Sequence, residues 1–157
     1  MGHIDSGKTS LCRILTSIAS TASLDKNPQS KERGITMDLG FSAFFTHIPE
    51  DKKSEVPAGK KYLQFTLVDC PGHASFMKTI IASGQIIDIL ILVIDINKGI
   101  EVQTAECLVL GELLGLKLVV ILNKVDMLGE GEEATKRFEK RKSGILKALS
   151  STSFAKR

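Results

Sequence analysis

The chain has no tryptophan, one tyrosine and seven phenylalanines, so aromatic residues are only 5% of its 157 positions. A core built on stacked rings is excluded. Ile, Leu and Val must supply the buried surface, as they do where parallel strands are covered on both faces. Cysteine is also scarce: Cys12, Cys70 and Cys107 stand far apart and are odd in number. That spacing excludes a disulfide framework and a paired metal motif, and implies free thiols in a reducing compartment. Neither sign of charge dominates, since 21 Lys and Arg against 18 Asp and Glu leave a net +3. So small a surplus does not by itself argue for nucleic acid. Long apolar runs are missing too. The most hydrophobic stretch, 86–96, is too short to span a bilayer and carries Asp88 and Asp95. No secretory leader is read at the start, and a cytoplasmic, monomeric protein is expected.

What remains is an ordinary globular composition, 43% hydrophobic and 25% charged, with length for one domain. Residues 8–20 show helical spacing, with Leu11, Ile14, Leu15 and Ile18 on one face. The polar stretch 21–31, broken by Pro28, reads as a mobile loop. Residues 39–48 and 62–69 read as strands joined by an exposed, charged tip over 49–61. A short helix is predicted over 74–83, a buried strand over 87–94, a helix over 104–114, a second buried strand over 117–123 and a charged amphipathic helix over 130–150. Strands alternating with helices imply an α/β domain with a mostly parallel sheet. The run Lys140-Arg141-Lys142 is compatible with a nuclear or nucleic-acid patch, but a solvated helix face is the simpler reading.

Four motifs carry chemistry. Gly2-His3-Ile4-Asp5-Ser6-Gly7-Lys8-Thr9 has the form G-x-x-x-x-G-K-[ST]. Its glycines let the backbone curl until several N–H groups face phosphate oxygens, and the helix that follows adds its positive end. Lys8 would reach the β- and γ-phosphates, and the Thr9 hydroxyl would hold Mg²⁺. The second motif is Asn123-Lys124-Val125-Asp126, at the end of an apolar strand about 115 residues beyond the loop. The Asp126 carboxylate can accept from guanine N1–H and the 2-amino group. Adenine presents an acceptor and no amine there, so an ATP-using alternative is disfavoured. Asn123 can bond the N7 edge, and the Lys124 stem can cover the base.

The third motif is Asp69-Cys70-Pro71-Gly72-His73. Asp69 can hold Mg²⁺ through water, the Gly72 N–H can bond the γ-phosphate, and His73 is placed to orient an attacking water. The fourth is Arg33-Gly34-Ile35-Thr36, whose Thr36 can offer a second hydroxyl to Mg²⁺. The predicted set is therefore Asp5, Ser6, Gly7, Lys8, Thr9, Ser10, Gly72, Asn123, Lys124 and Asp126 for GTP or GDP. Thr9, Thr36 and Asp69 form the Mg²⁺ set, and His73 is the catalytic residue.

Together these motifs resemble the translational GTPases of the elongation factor Tu-like class. His73, where Ras-like proteins have Gln, carries that distinction. The resemblance implies a P-loop fold with three α/β/α layers and a ribosome-positioned His73. It also implies apolar gate residues at Ile4 and Ile35, and a loop acid, Asp5, that helps hold a monovalent cation. Within the family, 20–23, 28–30, 33–41, 69–75, 85–88 and 105–109 resemble the eukaryotic selenocysteine-specific elongation factors. That subfamily implies selenocysteyl-tRNA and the ribosome as partners. The alternatives are the gamma subunit of initiation factor 2, or a nucleotide-binding module without catalysis. In the family a central strand feeds the phosphate loop, and a last strand and a Ser/Ala-rich loop follow, then β-barrel domains. Residues 1–157 are therefore expected to form a partial GTP-binding domain lacking its first and last strands. Each backbone group left buried and unpaired by such a gap would cost about 1–3 kcal/mol.

Overall fold

The computed structural model describes residues 1–16, 18–19, 40–69 and 87–156. It has an α/β fold and divides into two compact units, one of Met1–Lys8 with Pro71–Arg157 and one of Thr9–Cys70.

The larger unit is built on two parallel strands, β4 (Ile89–Asp95) and β5 (Lys117–Asn123), joined by helix α2 (Val102–Leu113). Leu90, Leu92, Val93, Ile94 and Asp95 of β4 are buried, as its unbroken Ile, Leu and Val predict. β5 is less covered than expected, with Val119 47% exposed. The core forms where β4 meets α2 and the long helix α3 (Glu132–Leu149): Leu92, Ile94, Cys107, Leu108 and Ile145 pack together. Gly111 allows α2 to lie close to the sheet, since a Cβ there would fall 2.6 Å from Leu90 Cδ2. Cys107 is a free, buried thiol whose pKa is pushed up by burial, against the opposing pull of the terminal amino group and the Gly2 N–H. It serves as a small apolar core residue.

Immediately before the phosphate loop, Met1 pairs with β4. Met1 N donates to the Ile91 carbonyl at 2.6 Å, and Val93 N donates to the Met1 carbonyl at 2.9 Å. This is one step of a parallel ladder on the side of β4 away from β5. Met1 also packs on the core cluster. Two β4 groups that a bare edge would leave unpaired are thus satisfied.

The smaller unit holds helix α1 (Lys8–Leu15, whose first residue belongs to the larger unit) and the antiparallel strands β1 (Ile18–Ala19), β2 (Gly40–His47) and β3 (Tyr62–Asp69). The β2–β3 pair runs in register from Gly40↔Asp69 to His47↔Tyr62, with a 3₁₀ helix at the exposed tip. α1 is shorter than its sequence spacing predicts. It stops at Leu15, Ile14 is 81% exposed, and Ile18 pairs with Ala43 as a strand residue. The Thr16 hydroxyl turns back to the Cys12 carbonyl, a local bond that competes with helix continuation. The predicted loop at 21–31 and helix at 74–83 lie outside the described residues. Among the described residues no helix is long and apolar enough to cross a membrane.

Candidate functional site

The phosphate loop runs from the bridge at Met1 to the first turn of α1. Its path needs unusual dihedrals: φ is 140° at Gly2, 60° at Asp5 and 94° at Gly7. Gly2 also has a packing reason, because a Cβ would sit 2.2 Å from the Val93 carbonyl oxygen. Asp5 is exposed and holds a left-handed backbone without being glycine, a conformation that costs about 1–3 kcal/mol and collects at functional sites. Ser6 is buried, and Ser6 N donates to the His3 carbonyl at 3.3 Å. The buried Lys8 bends its ammonium back to the His3 carbonyl at 2.7 Å. Ser10 lies exposed on α1.

The start of α2 braces this loop. His3 Nε2 lies 2.6 Å from Glu101 Oε2, and Ile4 N donates to Gln103 Oε1 at 3.0 Å. Neither Glu101 nor Gln103 belongs to a recognised motif. Their only sequence signal is position: both stand at the opening turn of the helix that follows a buried strand.

Asn123 ends β5, and Lys124 follows in the left-handed region at φ 59°. Asn123 Nδ2 donates to the Ser6 carbonyl at 2.8 Å. The residue expected at the guanine N7 edge thus ties its own loop to the phosphate loop, across 117 positions of chain. Lys124 Nζ pairs with Asp95 Oδ2 at 3.0 Å. Asp126 stands exposed on the next 3₁₀ turn, Val125–Leu128. Asp95 is 6% exposed. Burial alone would raise its pKa, but the Lys124 hydrogen bond and charge and the Asn97 N–H outweigh it and hold the carboxyl below its ordinary value.

In the smaller unit, the Thr9 hydroxyl donates to Asp69 Oδ2 at 2.6 Å, and Asp69 is 3% exposed. A hydroxyl and a buried carboxylate side by side are hard oxygen donors, the chemistry that Mg²⁺ accepts. Among the described residues no cluster of three or more His, Cys, Asp or Glu is present. Thr36, Gly72 and His73 lie outside the described residues, as do Ile35 and Cys70.

Of the predicted residues, the larger unit brings together Asp5, Ser6, Gly7 and Lys8 with Asn123 and Lys124, and the smaller unit pairs Thr9 with Asp69. Sequence reading missed Asp95, Asn97, Glu101 and Gln103. Asp95 had a usable signal: it is an acid closing a strand otherwise made of Ile, Leu and Val, in register with Asn123.

A family profile, the elongation factor Tu GTP binding domain, matches residues 1–156. The chain is 53% identical over 154 residues to the selenocysteine-specific elongation factor of Mus musculus, covering 98% of this chain and 26% of that protein. It is 44% identical over 131 residues to the factor of the same name from Methanocaldococcus jannaschii, covering 83% of this chain and 25% of that one. The chain thus spans about a quarter of the length of these curated relatives. Among solved structures, a bacterial selenocysteine-specific elongation factor matches with TM-score 0.66 at 32% identity, covering 94% of this chain and 22% of that one. Translation elongation factor SelB from Methanococcus maripaludis, in complex with the GTP analogue GppNHp, matches with TM-score 0.67 at 28% identity, covering 100% of this chain and 27% of that one.

Proposed function

Because the chain belongs to the elongation factor Tu GTP-binding domain family, we propose that it binds GTP and GDP with Mg²⁺ as the GTP-binding domain of a selenocysteine-specific elongation factor. In that factor it serves GTP hydrolysis coupled to delivery of selenocysteyl-tRNA to the ribosome. The observation that carries the nucleotide reading is the 2.8 Å bond from Asn123 to Ser6, which joins a phosphate loop to a guanine motif. The named relatives are selenocysteine-specific factors, which favours that subfamily over the gamma subunit of initiation factor 2.

Each residue then has a task. The loop N–H groups and Lys8 bind the phosphates. Asp126 accepts from guanine N1–H and the 2-amino group, and Lys124 lays its stem on the base. Thr9, Thr36 and Asp69 would hold Mg²⁺, whose charge offsets that of the phosphates. His73 orients the attacking water, and the Gly72 N–H bonds the γ-phosphate. The tasks of Thr36, Gly72 and His73 rest on sequence alone.

Titration of a fluorescent GDP analogue into the chain tests the binding. Micromolar or tighter affinity is expected, weakened when EDTA removes Mg²⁺. Binding that never saturates, or that ignores the chelator, rejects the assignment. Unassisted turnover should be slow, about 10⁻⁴ to 10⁻² s⁻¹, by analogy with GTPases that lack an activating partner. In the full-length factor, His73→Ala is expected to abolish ribosome-stimulated hydrolysis while GDP affinity holds. Equal stimulated rates in mutant and wild type would reject its role.

A further inference from the structure

Two side chains outside every recognised motif contact Lys124, and a third holds one of the two. Asp95 Oδ2 takes its ammonium at 3.0 Å. Asn97 Nδ2 donates to its carbonyl at 3.2 Å. Arg141, from the basic run on α3, donates through Nη1 to Asn97 Oδ1 at 2.9 Å and to the Ile96 carbonyl at 3.1 Å. One residue is thus gripped at both ends, and the grip is itself anchored to a different helix. The loop presenting Asn97 is also fixed, since Lys98 N and Gly99 N both fold onto the Asp95 carbonyl, at 3.1 and 2.9 Å.

Lys124 needs such a grip. It is not glycine, yet its φ is 59°, a left-handed backbone that disfavours any residue with a Cβ. Such a conformation persists only where its surroundings over-determine it. The next residues depend on it: Met127 N donates to the Lys124 carbonyl at 3.2 Å, and the 3₁₀ turn carrying Asp126 starts there. Any relaxation of Lys124 would swing Asp126 and the lysine stem together. Arg141 therefore has a task that a solvated helix face does not explain.

We propose that Asp95, Asn97 and Arg141 are positioning residues for guanine recognition, holding Lys124 so that its stem and the Asp126 carboxylate meet the base in one fixed geometry. This rests on the nucleotide reading above. None of the three touches the base. They act through Lys124, so their loss should degrade discrimination more than phosphate binding.

The test compares GDP with IDP, which lacks only the 2-amino group, on the full 157-residue chain. Arg141→Ala and Asn97→Ala should each cut the preference for GDP over IDP roughly fivefold, the worth of about one ordinary net hydrogen bond. IDP affinity should fall less than GDP affinity, because IDP keeps the N1–H and the ring face but has no 2-amino group to lose. Combining the two should add nothing to either single loss, because Arg141 works through Asn97. Asp95→Asn should lower the preference by a similar factor, and Asp95→Glu should restore part of it. Thermal unfolding of each variant separates loosening of the fold from loss of recognition. Equal weakening of GDP and IDP, or additive effects of Arg141→Ala and Asn97→Ala, would overturn the positioning role while leaving the nucleotide reading intact. A wild-type chain that binds neither nucleotide would overturn both.

Discussion

Asp126→Asn is expected to turn the chain from guanine to xanthine nucleotides. The Asp126 carboxylate can only accept, and it would take both N1–H and the 2-amino group of guanine. An amide offers one acceptor and one donor, which suits the 2-oxygen of xanthine. Sites built to bond a particular substrate group reject its absence by roughly four orders of magnitude in good cases. Asp126 is exposed, so water can compensate in part, and a loss of about two to three orders in GDP affinity is expected, with XDP becoming the preferred ligand. Competition of GDP and XDP against a fluorescent analogue reads both changes. A guanine preference that survives the substitution would remove Asp126 from base recognition.

Gly7→Ala should be nearly as damaging, for a reason that only the folded chain reveals. Gly7 has φ 94°, and a Cβ there would lie 2.1 Å from Asn123 Nδ2. Asn123 can swing aside, but then it drops the Ser6 carbonyl that joins the two motifs. The backbone strain costs about 1–2 kcal/mol. The lost bond costs about 1 kcal/mol. The sum corresponds to GDP affinity roughly 30- to 150-fold weaker. Asn123→Ala removes the collision but not the strain. In that background Gly7→Ala should therefore cost clearly less than it does alone. Equal costs in the two backgrounds, measured by GDP titration, would show that the contact between Gly7 and Asn123 does not govern the loop.

Much of the fold was legible because its signals are local. β3 and β5 fall on the predicted residues, and β2, β4, α2 and α3 lie within two residues of the expected bounds at each end. Apolar runs of strand length between charged helical segments leave few other readings. The end of α1 was not legible. The spacing of Ile14 and Ile18 continues a helical face, yet Ile14 is 81% exposed and Ile18 pairs with Ala43. Periodicity reports which residues prefer burial; a partner strand that arrives from 25 residues further along the chain decides otherwise.

The candidate chemistry was already legible in the chain. A phosphate loop, Asp69 and Asn123-Lys124-Val125-Asp126 are short contiguous strings whose donors and acceptors suit a guanine nucleotide. Tertiary structure decided what holds those strings in shape. Met1 bridging Ile91 and Val93, Glu101 and Gln103 bracing His3 and Ile4, Asp95 and Asn97 holding Lys124, and Arg141 holding Asn97 are all contacts between distant segments. A hydrogen bond across 44 or 99 positions leaves no periodic trace in the chain, because either partner would read as an ordinary polar residue at its own position.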